Sequence, residues 1–287
     1  MTGLRALPFL LLFCWSLTGQ SDASPPRIGI VADLADADIL PELGFVALTE
    51  NTQKILSPLK VTDAEFAVHL AAIKKLRTPL YATNLFIPGE LKIVGDEVDE
   101  AALLAYVDGV LRRAKAAGLT LITWGSCGSR RVPEGYSREI ATAQFIHYAR
   151  KVARVAAKHD IILALENLNL TECNFLTDVP QALAVVQAVD HPNFRLCVDL
   201  YHMRVNGEPA SDLVGVGPYA IHCEIAEGDG RTPPGIKGDD FIPYFKVLHE
   251  EGYRGMISIE ARWEDLGKQG AAAVKTLQNQ LRAASGR

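Results

Sequence analysis

The chain has 287 residues, 48% hydrophobic and 22% charged, which excludes a disordered or fibrous protein. Asp and Glu outnumber Lys and Arg by 34 to 29, giving a net charge of −5 and a pI near 5.8. No basic surplus exists to neutralise a phosphate backbone, so nucleic acid is not an expected partner. At roughly 100–200 residues per domain the length suits one or two domains, and a single α/β barrel commonly takes about 250.

The N-terminus reads as a targeting segment. Arg5 precedes the apolar run Ala6–Leu17, and polar Thr18–Ser21 leads into Asp22-Ala23. A basic start, an apolar stretch and small residues at −3 and −1 (Ser21 and Ala23) are the pattern of a signal peptide. This makes 1–23 a leader and 24–287 the exported chain, periplasmic or secreted. The apolar run is short for a bilayer-spanning helix, so no stable membrane insertion is expected after removal. Export permits disulfides. Cys127, Cys173, Cys197 and Cys223 form no C-x-x-C pair, however, and read as small buried hydrophobes.

Beyond the leader, β-type runs alternate with helical patterns eight times. The expected strands are Arg27–Ala32, Phe45–Thr49, Leu80–Phe86, Leu119–Trp124, Ile161–Leu165, Arg195–Val198, Ala220–Cys223 and Met256–Ile259. Most are nearly continuous apolar runs, as in strands covered on both faces. Thr62-Asp63-Ala64-Glu65 is a capping box opening a helix to about Leu76. Asp99–Ala117 carries apolar residues at Ala102, Tyr106, Val110 and Ala114, and Gly118 ends it. Glu139–His159, Val179–Val189, Phe241–Glu250 and Gln269–Leu281 read as helices too, and Ser211–Val216 is the weakest. No linker divides the chain. Eight such units fit one closed (β/α)8 barrel. The first turn, ADLADAD, lacks the glycines of a dinucleotide-binding open sheet.

Barrel active sites form at the C-terminal strand ends. Of seven histidines, only His202 and His222 follow or end strands. Glu166 ends the fifth strand, Asp199 the sixth and Glu260 the eighth, while His222 and Glu224 straddle the end of the seventh. Charges placed after apolar strands are costly to bury alone. Three carboxylates and an imidazole converging on one rim repel unless a cation sits among them. The reading is therefore one divalent ion at Glu166, Asp199, His222 and Glu260. The oxygen-rich set favours Mn²⁺, Mg²⁺ or Co²⁺ over a structural Zn²⁺.

Glu166-Asn167-Leu168-Asn169 with Glu172-x-Asn174, then Asp199-Leu200-Tyr201-His202-Met203, His222 and Ile259-Glu260, resemble the sugar isomerase/epimerase branch of the xylose isomerase-like TIM barrels. That branch includes ketose 3-epimerases and hydroxypyruvate isomerases. The likeness is densest from Trp124 to Arg262, and Gly125–Arg130 resembles the family's Gly/Ser-rich segment. It implies one divalent ion, Mn²⁺ foremost, with Mg²⁺, Co²⁺ or Zn²⁺ as alternatives. Glu166, Asp199, His222 and Glu260 are the implied ligands, and Glu166 with Glu260 the implied acid/base pair. Glu172 and His202 match substrate-contacting positions, and Arg231 matches the family's Arg after the seventh strand. Glu224 has no family role and reads as a rim salt bridge. Family members often dimerise, so a homodimer is an implied partner state, although no exposed apolar stripe in the sequence marks one.

Among lesser features, Asn84 ends the third strand within reach of a sugar hydroxyl, and Glu50 ends the second. Trp124, Phe86 and Trp263 stand at strand ends as a candidate apolar wall for a sugar ring. Arg130-Arg131 either bind an anion or face solvent, and solvent is favoured. The first functional reading is a metal-dependent isomerase or epimerase of a free sugar or hydroxy-ketone, working through an enediolate. A lyase or hydrolase cleaving keto-glycosides by β-elimination is the alternative. A non-catalytic sugar-binding barrel is the second alternative.

Overall fold

A computed structural model describes residues 26–286; the leader read over 1–23 lies outside them. Eight parallel strands run β1 (Arg27–Val31), β2 (Leu48–Asn51), β3 (Leu80–Asn84), β4 (Leu121–Trp124), β5 (Ile162–Glu166), β6 (Phe194–Asp199), β7 (Ala220–Ile225) and β8 (Met256–Ile259). They pair in chain order, and β1 returns to β8 through Arg27↔Met256 to Ile30↔Ile259, which closes the barrel. The apolar runs thus become strands for the expected reason: a parallel sheet wrapped by helices hides both its faces.

Inside and outside follow from the period of two. In β5, Leu163 and Leu165 join the large core between strands and helices, while Ala164 belongs to a small cluster with Ala82, Leu121 and Cys197 in the barrel interior. Interior space is tight: a Cβ on Gly29 would lie 2.9 Å from Ser258 Oγ and 3.2 Å from the Ala47 carbonyl oxygen. Inward parity continues from Ala164 to Glu166, from Cys197 to Asp199, and from His222 to Glu224. Leu196, Val198, Cys223 and Ile225 face the helices.

Thr62 caps the helix Asp63–Ile73 with the reciprocal Glu65 contact that the capping box requires. Asp99 caps Glu100–Ala116, and Gly118 follows at φ +79°. Val179–Val189 agrees at both ends, and Leu266–Ala284 starts earlier than expected because Asp265 is its cap. The region after β6 departs from expectation. A helix, Leu200–Asn206, begins directly on Asp199, and Ala210–Leu213 forms only a 3₁₀ turn. Asp199 Oδ1 accepts from the amides of Tyr201 and His202, so a strand-end carboxylate doubles as a helix cap.

Cys127 and Cys173 form a disulfide, whereas Cys197 and Cys223 are free and buried. The reading of all four as plain hydrophobes is corrected for the first pair. Helix Asp63–Ile73 is apolar (DAEFAVHLAAI), yet Ile73 is its one buried residue and Val68 is 68% exposed.

Candidate active site

Glu166, Asp199, Glu224 and Glu260 each turn a carboxylate oxygen to one point above the interior, all within 4.8 Å of one another. Three of the four sequence-predicted ligands are in this group, and Glu224 stands where His222 was expected. The register explains the difference. Asp199 pairs with Glu224 across β6 and β7, while His222 pairs with Cys197 two residues lower. β7 runs on to Ile225, past the expected end at Cys223. His222 therefore lies within the strand, and its Nε2 is 3.3 Å from Glu224 Oε1. Burial holds the His222 ring down at a pKa of about 4 against the pull of Glu166, Asp199 and Glu260, so it stays neutral.

Burial raises Glu166 to about 7, with repulsion from Glu224 adding to it. Burial likewise raises Glu260 to about 7, against the lowering effect of Arg231. Glu224 is raised well above the ordinary range by burial and by the charges of Glu260 and Asp199. Asp199 Oδ2 and both Glu224 oxygens are buried without a hydrogen-bond donor. Unpartnered buried carboxylate oxygens turned toward one another are the donor set a hard divalent cation takes, so the residues present fit the implied metal. Glycine at 125 makes room for the Glu166 carboxylate: a Cβ there would sit 1.7 Å from Glu166 Oε2.

A hydrogen-bonded rim surrounds the quartet. His202 Nε2 lies 3.3 Å from Glu166 Oε1 and 3.5 Å from Asp199 Oδ2. Burial opposes the charged form of His202, but Asp199 and Glu166 outweigh it and raise the ring to about 9. Asn169 selects the tautomer. Its Oδ1 accepts from the Thr171 amide and hydroxyl and from the Glu172 amide, so its Nδ2 must face His202 Nδ1, at 2.8 Å. The ring proton is left on Nε2, facing Glu166. A cation among the carboxylates would cancel the attraction that favours a second proton.

Arg231 forms an ion pair with Glu260 Oε2, donates to the Glu260 carbonyl and lies 3.4 Å from Glu172 Oε1, with its guanidinium over the Tyr201 ring. Asn84 Nδ2 donates to Glu260 Oε1 at 2.9 Å. These groups line a cavity of about 450 Å³ together with Leu85, Ser126 and Leu168. Leu85 has a left-handed backbone (φ +53°) and stays 45% exposed at the mouth.

Other predicted residues lie elsewhere. Trp124 is fully buried against Phe86, Phe145 and Phe194, outside the strands, and so faces away from the cavity. Phe86 is buried with it, and Trp263 packs on Phe45. Arg130 neither faces solvent nor awaits an anion. It is fully buried and donates to the carbonyls of Trp124 and Glu166, tying the ends of β4 and β5 together. Glu50 accepts from the Leu34 and Asn51 amides. The parity of β7 could have pointed to Glu224; Asn169 stands in the motif after the fifth strand without a role assigned to it, and nothing local in the sequence marks Leu85.

Gly125→Ala should displace the Glu166 carboxylate and weaken Mn²⁺ binding by ~10–100-fold, the range typical of disturbed ligand positioning, as read by isothermal titration. Unchanged affinity would remove Glu166 from the donor set.

Residues 38–283 match the family described as xylose isomerase-like TIM barrel. A putative hydroxypyruvate isomerase of Homo sapiens is 30% identical over 60% of this chain and 64% of its own length; the mouse protein is matched over 62% of its length. Hydroxypyruvate isomerase of Escherichia coli is 29% identical over 69% and 78%. L-ribulose 3-epimerase of Methylomonas is 30% identical over 56% and 58%. The first two relatives are thus matched over slightly less than two thirds of their length. Among solved structures, an L-ribulose 3-epimerase superposes with a TM-score of 0.75 at 19% identity, covering 91% of this chain and 96% of its own. The E. coli 3-keto-D-glucoside 4-epimerase gives 0.72 at 21%, over 88% and 99%. With its closed eight-stranded barrel and a match across nearly all the described residues, the chain belongs to the xylose isomerase-like TIM barrel family.

Proposed function

We propose that this protein is a divalent-cation-dependent isomerase or epimerase of a free sugar or related hydroxy-ketone, acting by proton transfer beside a carbonyl. Membership of a family whose relatives are named as sugar isomerases and epimerases supports the class. The observation that carries the reading is the carboxylate quartet, three members buried and Glu260 half-buried, with unpartnered oxygens on Asp199 and Glu224, beside a cavity of about 450 Å³.

Glu166, Asp199, Glu224 and Glu260 would hold the ion, Mn²⁺ or Mg²⁺ before Zn²⁺ because every donor is oxygen. When bound, the cation supplies charge stabilisation for the enediolate. Glu166 and Glu260 both line the cavity and are suited to take and return a proton. His202 Nε2–H orients Glu166, and Asn84 and Arg231 orient Glu260. Return to the opposite face of the same carbon epimerises it; return to the adjacent carbon interconverts aldose and ketose. Glu172, His202, Arg231 and Asn84 are the substrate-facing groups. Export over the 1–23 leader fits a chain whose rim carries a disulfide. The exposed apolar helix Asp63–Ile73 supplies a face for a homodimer.

Purified protein loaded with Mn²⁺ in D₂O, given hydroxypyruvate, D-fructose, D-tagatose, L-ribulose and a keto-glucoside in turn, should place deuterium beside the carbonyl of at least one. Chelation should abolish the exchange and Mn²⁺ restore it. Release of an aglycone would identify elimination instead, and tight binding without exchange a binding barrel. Glu260→Gln should lower the rate at least ~10²-fold, the scale of a lost general acid or base, with sugar affinity by calorimetry largely intact. Light scattering after size exclusion should give twice the single-chain mass; a monomer would remove the helix from this role.

A further inference from the structure

Arg231 is the cation that grips Glu260, and it stands on a loop with no regular structure, between β7 and the helix Ile242–Glu250. Its own backbone is left-handed (φ +55°), a conformation a non-glycine residue holds only when its surroundings impose it. Next to it in the loop lies a fully buried carboxylate outside the quartet. Glu227 is fully buried and points into its own loop. Its two oxygens accept from the Thr232 hydroxyl at 2.8 Å and from the amides of Gly235 (2.8 Å), Lys237 (2.5 Å), Gly238 (2.9 Å) and Asp239 (3.3 Å). The Glu227 amide in turn donates to the Thr232 carbonyl. Backbone amides that a barrel loop would otherwise give to water converge here on one anion. The wrapped segment begins immediately after Arg231. On the other side, the Arg262 amide donates to the Arg231 carbonyl, so the arginine is clamped between this knot and the segment after β8.

We infer that Glu227 is a positioning residue: it knots the loop so that Arg231 holds the Glu260 carboxylate in place for proton transfer. The inference rests on the reading of Glu260 as acid or base. Glu227 does not line the cavity and touches no substrate-facing atom. The route assigned to it runs through Arg231.

A double-mutant cycle tests this, using Glu227→Gln, Thr232→Val and Arg231→Ala with the panel sugar that exchanges fastest. Gln replaces one acceptor oxygen by an amide that faces backbone N–H groups; Val removes a single donor to Glu227. Glu227→Gln should lower kcat by ~10–100-fold, as disturbed supporting partners of a site do. Thr232→Val should lower it less, and KM should change little. In the Arg231→Ala background neither substitution should lower the rate further. A loss by Glu227→Gln that persists in full without Arg231 would overturn the inference, as would an unchanged kcat. Should the parent protein exchange no sugar at all, the functional reading fails by itself. A crystal structure of Glu227→Gln then decides: a displaced Arg231 guanidinium is expected, and one still seated on Glu260 overturns the role given to Glu227.

Discussion

Mutual repulsion among four clustered carboxylates, three of them buried, governs this end of the molecule. Two unit charges 4 Å apart repel by about 4 kcal/mol at the effective dielectric of a protein site, and each also loses its hydration on burial. A barrel carrying Glu166, Asp199, Glu224 and Glu260 at one point must supply positive charge or protons there. Arg231 supplies one charge and His202 one ring N–H, and the proposed divalent ion would supply the rest.

The rim answers the repulsion as a connected network. Asn84 holds Glu260, Glu260 holds Arg231, Arg231 reaches Glu172, Glu172 accepts from Asn169, and Asn169 fixes His202, which faces Glu166. The chain of contacts runs from β3 through the loops after β7 and β5 to the helix after β6. Polar networks of this kind rigidify a site to the extent that their members are satisfied, and Asn84 Oδ1 is the buried atom here left without a donor. Glycine at 125 is the steric counterpart, because only the absence of a side chain lets Glu166 stand upright.

The fold was legible because buried parallel strands leave apolar runs that local pattern reveals, and Glu166, Asp199 and Glu260 stood out as charges following such runs. β7 was harder. His222 and Glu224 point inward there while Cys223 and Ile225 point outward, so the strand alternates and its end is hidden. With the strand expected to end at Cys223, His222 rather than Glu224 stands at the expected rim. Trp124 and Phe86 misled for a related reason: nearness to a strand end says nothing about which side a ring faces, and both rings pack outward. Arg130, Asn169 and Glu227 take their roles from partners elsewhere in the fold, and the Cys127–Cys173 pairing, 46 residues apart, leaves no trace in spacing.

That crosslink joins the segment after β4 to the segment carrying Glu172, two neighbours already stitched by Arg131 to the Glu172 carbonyl and by Asn174 to both polar groups of Val132. Native contacts would hold this corner without the sulfur bridge, so its thermodynamic effect falls mainly on the denatured chain. Closing a 46-residue loop there corresponds to about 4 kcal/mol by chain entropy. Material produced under reducing conditions would therefore share the architecture, this corner included, while surviving less heat.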